Sequence, residues 1–64
     1  MMTVDEFRAA ILAAMLEMKD AEGNARVSEK EAKEVLKGFT DAELADGILF
    51  DTPEEVAQLL VEEM

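Results

Sequence analysis

The chain contains no His, Cys, Tyr or Trp, only one Ser and three Thr, and a single Pro. Without Cys, neither a disulfide nor a thiolate-held metal can reinforce a chain of 64 residues. At that length one hydrophobic core supplies only roughly 3–5 kcal/mol. The lack of Cys also fits a reducing compartment, and a cytoplasmic location is the expectation. Missing His and Cys remove the commonest general base and the strongest nucleophile, leaving acid–base work to carboxylates, Lys and Arg. The paired carboxylates Glu54-Glu55 and Glu62-Glu63 are sequence neighbours, so on a helix they point to different sides instead of facing each other across a cleft. Gly23, Gly38 and Gly47 are scattered rather than grouped in a phosphate-cradling loop. Neither enzymatic activity nor an organic cofactor is expected.

Long apolar runs are also missing. Nothing approaches the ~18 uninterrupted apolar residues of a membrane span, and Asp5 and Glu6 stand where a signal peptide would be basic. Positive charge is scarce, with 6 basic against 16 acidic residues and a net charge of -10. Such a surface repels phosphate backbones and anionic membranes, which excludes nucleic acid and membrane as expected partners. A helix-turn-helix reader would have to offer Asp41, Glu43 and Asp46 to a DNA groove. The charge instead favours cations or a basic protein partner. With 50% hydrophobic residues the chain is too apolar for a disordered acidic tail. Self-repulsion predicts that added sodium chloride raises the melting temperature, because screening relieves the excess of negative charge. A melting temperature that falls with salt would contradict this.

What the sequence does contain is helix punctuation. Thr3–Glu6, Ser28–Glu31, Thr40–Glu43 and Thr52–Glu55 each place a hydroxyl three residues before a carboxylate, the spacing of a capping box. Each stands before apolar residues at helical spacing, so four helices are expected in one domain, residues 1–64. The first spans about Thr3 to Lys19 and presents Val4, Phe7, Ile11, Ala14 and Met18 on one face, with Met15 beside it. The second runs from Ser28 to Lys37, burying Ala32, Val35 and Leu36, with Gly38 as a left-handed terminator. Phe39 is placed to staple against Leu44. The third is short, Asp41 to Asp46, and Gly47 ends it. Ile48-Leu49-Phe50 then reads as a buried extended connector that pairs with Arg26-Val27. The fourth starts at Thr52 with Pro53 in the first helical position and turns Val56, Leu59, Leu60 and Met64 inward. The expected fold class is therefore all-α: a compact four-helix domain of two helix–loop–helix units, with a minimal β-bridge between the two loops.

Two sets of residues carry functional expectations. Ala9, Leu12, Ala13 and Leu16 form a second apolar stripe on the first helix. With Ala57 and Val61 they make the candidate surface for a protein partner or a homodimer. The other set lies in Asp20–Glu31, where Asp20, Glu22, Asn24, Ser28 and Glu31 place oxygen side chains at the first, third, fifth, ninth and twelfth positions of a twelve-residue loop. Arg26 at the seventh would offer its carbonyl, and Val27 at the eighth is aliphatic. This segment, with its flanking helices, resembles an EF-hand. The resemblance implies calcium bound by those six residues as metal ligands. The sixth position, glycine in that family, is Ala25 here, and positive φ at a non-Gly residue costs about 1 kcal/mol or more. The second half repeats the helix–loop–helix outline with a connector too short for a calcium loop. The leading expectation is thus a protein-interaction or regulatory module. The alternatives are a low-affinity calcium module and an acidic mimic of nucleic acid that occupies a basic protein groove.

Overall fold

The computed structural model describes residues 2–63, so the expectation for Met64 falls outside the described residues. Its four helices are α1 (Val4–Glu17), α2 (Glu29–Lys37), α3 (Asp41–Phe50) and α4 (Pro53–Glu63). All four hydroxyl residues cap a helix start. The Thr3 and Thr40 hydroxyls accept from the amides of Glu6 and Glu43, and both carboxylates return the bond to the cap amide, completing two capping boxes. Ser28 and Thr52 accept from the Glu31 and Glu55 amides, each at 3.2 Å. Pro53 is the first residue of α4, where its missing N–H has no partner to lose.

Helix α1 is the centre of the domain and packs against each of the other three. Its Phe7, Ile11 and Met15 are the largest fully buried side chains. Around them close Val27 from the first loop, Ala32 and Leu36 from α2, Leu44 from α3, and Ala57, Leu60 and Val61 from α4. No polar or charged side chain is buried among the described residues, so the core is held by apolar burial alone, at about 25 cal/mol per Å2.

The structure corrects the sequence reading at several points. Helix α1 ends at Glu17, not Lys19, because Met18 turns to extended geometry (φ -70°, ψ 132°) and its carbonyl accepts from the Arg26 amide at 3.1 Å. The isolated β-bridge joins Lys19 to Ala25 inside the first loop, not one loop to the other. Gly38 is right-handed (φ -73°, ψ -9°) rather than left-handed. Helix α3 runs through Gly47 to Phe50, so Ile48-Leu49-Phe50 is its last turn and not a buried connector. Leu49 is 62% exposed and Phe50 82%. A Cβ on Gly47 would lie 3.3 and 3.6 Å from two ring carbons of Phe7. The glycine is therefore there for the approach of α3 to α1, not to stop a helix. Leu59, expected inward, is 55% exposed.

Arg8 ties three elements together, and its role was not anticipated. Its guanidinium donates to the Leu36 carbonyl at 2.7 Å, to the Phe39 carbonyl at 3.3 Å and to Asp41 Oδ1 at 3.1 Å. It thereby adds a second partner to the Leu36 carbonyl, which also accepts from the Phe39 amide at 3.1 Å, and ties the end of α2 to the start of α3. The signal lay in the sequence: Arg8 is the only cation in α1 and falls at helical spacing between Val4 and Ile11 on the apolar face. Arg8→Met keeps most of the volume and removes the donors. Because the side chain is 30% exposed, the expected loss is at the low end for charged hydrogen bonds, about 1–2 kcal/mol. That corresponds to a fall of roughly 5–15 °C in melting temperature, measurable by circular dichroism. An unchanged melting temperature would show that water replaces these bonds without loss.

Candidate functional site

The candidate calcium loop is closed by its own backbone. Asp20 Oδ1 accepts from the Glu22 amide at 2.8 Å and from the Asn24 amide at 3.0 Å. The Asp20 amide donates to the Asn24 carbonyl at 2.8 Å, and the Gly23 amide to the Asp20 carbonyl at 3.0 Å. The only positive φ among the described residues is at Gly23 (φ 86°), two places before Ala25. The sharp turn has thus moved to the residue that tolerates it, and the strain expected at Ala25 does not arise. At the far end, Ser28 and Glu31 are occupied with each other, hydroxyl to carboxylate at 3.2 Å. Arg26 is exposed, and its amide serves Met18. No group of three or more His, Cys, Asp or Glu capable of holding a metal ion is found among the described residues. Asp20, Glu22 and Asn24 form a turn around the Asp20 carboxylate, and Ser28 and Glu31 form a helix cap.

The second candidate surface is divided. Val61 is 4% exposed and Ala57 fully buried, so both belong to the core and cannot extend a contact face. Leu12 and Leu16 are half-buried against that core, while Ala9 and Ala13 are exposed. Ala9 and Leu12 do line a groove of about 340 Å3 between α1 and α2, floored by Leu36 and edged by Arg8, Lys33 and Lys37. On the same helix Lys33 Nζ lies 2.7 Å from Glu29 Oε1. The hydrogen bond from Lys33, and then its charge, hold the Glu29 carboxyl below its ordinary range.

A second apolar groove occurs where the sequence reading expected core. Helices α3 and α4 flank a groove of about 310 Å3 whose floor includes Phe7, Phe39, Leu44 and Leu60. Its edge carries Leu59 together with Glu43, Asp51 and Glu63. Leu59 also faces Glu55 and Glu62 on its other side. Phe50 follows Glu43 and Gly47 at intervals of seven and three residues, continuing the same edge of α3.

Charge separates these two surfaces. All six basic residues lie at or before Lys37, with eight acidic ones, for a net charge of -2. The chain after Lys37 holds eight acidic residues and no basic one, for -8. The only ion pair to either helix among the described residues is Arg8–Asp41, at the start of α3. The carboxylates along the α3–α4 groove are therefore not neutralised by protein cations. No family model, curated protein or solved structure matches the chain. The functional reading rests on this geometry.

Proposed function

We propose that this protein is a protein-interaction module that works by docking and not by catalysis, with the α3–α4 face as its principal contact surface. One observation carries the reading: Phe50 and Leu59 are 82% and 55% exposed. Burying a large apolar side chain contributes roughly 1.5–3 kcal/mol, a substantial part of the stability a domain this small can muster. A face that leaves two such side chains in water beside an apolar groove is suited to a partner. The α1–α2 groove, with Ala9 and Leu12 from the stripe on the first helix, is a second contact region because it too has an apolar floor.

The test compares capture of a partner from the native cell extract by immobilised wild type, by Phe50→Ser/Leu59→Ser and by Ala9→Glu/Ala13→Glu. All four positions are exposed, so each variant should keep the helical circular dichroism and melting transition of the wild type. The reading predicts that a partner retained by the wild type is lost with the first variant and weakened with the second. Retention by Phe50→Ser/Leu59→Ser at wild-type level would overturn the assignment of the α3–α4 face.

A further inference from the structure

The chemistry of the α3–α4 face also specifies its occupant, an inference that rests on the docking role proposed above. We propose that the groove receives an amphipathic helix of a partner protein, with large aliphatic or aromatic residues on one face and Lys or Arg flanking them. The floor of Phe7, Leu44 and Leu60, with Leu59 at its edge, demands apolar side chains. The rim of Glu43, Asp51 and Glu63, extended by Glu55 and Glu62, demands cations around them. Complementary charge steers such a ligand to the groove and fixes its register, while the apolar contacts hold it.

The occupant is a helix because the face offers no strand edge. Between their ends the amides and carbonyls of α3 and α4 are engaged within the helices, so an added strand would find no ladder to extend. A cleft between two helices instead accepts a third, with anchors at helical spacing. Phosphate-bearing ligands are repelled by the same carboxylates. A second copy of this chain is a poor fit. It carries the same charge of -10, and the lysines of its α2, Lys30, Lys33 and Lys37, alternate with Glu29, Glu31 and Glu34.

The probe is a capped peptide of about five helical turns made only of Leu and Lys, with Leu at positions i, i+3, i+4 and i+7. Its control is a peptide of identical composition in scrambled order, and binding is followed by amide NMR and calorimetry in buffer containing EDTA. The patterned peptide should bind at least about tenfold tighter than the scramble, as expected when ordered anchors and not bulk charge decide affinity. Amide shifts should concentrate on Glu43–Glu63. Leu59→Ser should abolish the preference for pattern. Glu55→Gln/Glu62→Gln/Glu63→Gln should weaken binding of both peptides and flatten its dependence on salt.

Equal binding of the two peptides, or shifts centred on α1 and α2, would overturn the proposal. So would a concentration-dependent dimer in sedimentation velocity that Leu59→Ser dissolves, because the groove would then belong to a second copy. The two readings fail separately. If capture of the native partner depends on Phe50 and Leu59 while the patterned peptide shows no advantage, docking stands and the basic helix falls. If capture ignores both residues as well, both readings fall.

Discussion

Ile11→Ala should leave most of the chain unfolded at 37 °C. Ile11 is completely buried, on the helix that touches all three others, so the space left by the missing carbons cannot be refilled from the surface. Large-to-small truncation at such a site costs roughly 2–5 kcal/mol, against a total of roughly 3–5 kcal/mol for a domain of this size without disulfide or metal. The two quantities are nearly equal, so the substitution removes most or all of the folding free energy. Thermal melts followed by far-ultraviolet circular dichroism should show loss of the cooperative transition, or a midpoint lowered by at least roughly 15 °C. Leu49→Ala is the internal comparison: Leu49 is mostly in water, and the expected change is within about 0.5 kcal/mol. A midpoint for Ile11→Ala within a few degrees of wild type would mean that α1 is not the centre of the core.

Gly47→Leu should be the next most damaging change, although on propensity alone it ought to help. Replacing a glycine in the middle of a helix by a good helix former gains up to about 1 kcal/mol. Here a Cβ alone would sit 3.3 Å from Phe7 Cε2, closer than comfortable packing, and the rest of a leucine would have to pass the ring. Phe7 is 2% exposed, and its ring must shift by a few tenths of an ångström to admit even the Cβ. Overpacking costs about 1–3 kcal/mol and should exceed the gain, lowering the melting temperature by roughly 5–15 °C. Gly47→Leu in a Phe7→Leu background should recover part of the loss, since the ring that obstructs it is gone. A stabilised Gly47→Leu single variant would contradict the close approach of α3 to α1.

These two sites show where the sequence was legible and where it was not. Caps could be read because a capping box is local: the partners are three residues apart, and Thr3, Ser28, Thr40 and Thr52 all cap, Thr3 and Thr40 in full capping boxes and Ser28 and Thr52 through the hydroxyl alone. The inward face of α1 was also legible, because helical spacing alone gathers Phe7, Ile11 and Met15. Gly47 was misread because glycine serves two opposed ends, stopping a helix or letting one approach a neighbour. Only the position of Phe7, forty residues earlier in sequence, decides between them. Gly38 stays right-handed because the last carbonyls of α2 are met by i→i+3 bonds, Val35 by the Gly38 amide and Leu36 by the Phe39 amide, with the Arg8 guanidinium as a further partner of Leu36 that no local pattern announces.

The candidate sites were less legible than the fold. Oxygen side chains at the right spacing in Asp20–Glu31 say nothing about which backbone amides will claim them, and the Asp20 carboxylate is claimed by two. Val61 was assigned to a surface because its stripe was extended without knowing which side of α4 meets α1. Of Ile48-Leu49-Phe50, Ile48 does pack against the core, while Leu49 and Phe50 are exposed; all three were assigned to the core because an apolar run looks the same whether a domain buries it or a partner does. The charge of the α3–α4 face is legible without the structure. Every cation precedes Gly38, a division visible in the sequence before any helix is placed.

The central claim is that the α3–α4 face is covered by a partner. It is tested most directly by amide hydrogen exchange of the chain alone and with the partner it captures. The account predicts slowed exchange concentrated on Glu43–Glu63, including the last turn of α3 around Leu49 and Phe50, with little change in α2. Protection confined to α1 and α2, or no protection in α3 and α4, would contradict it.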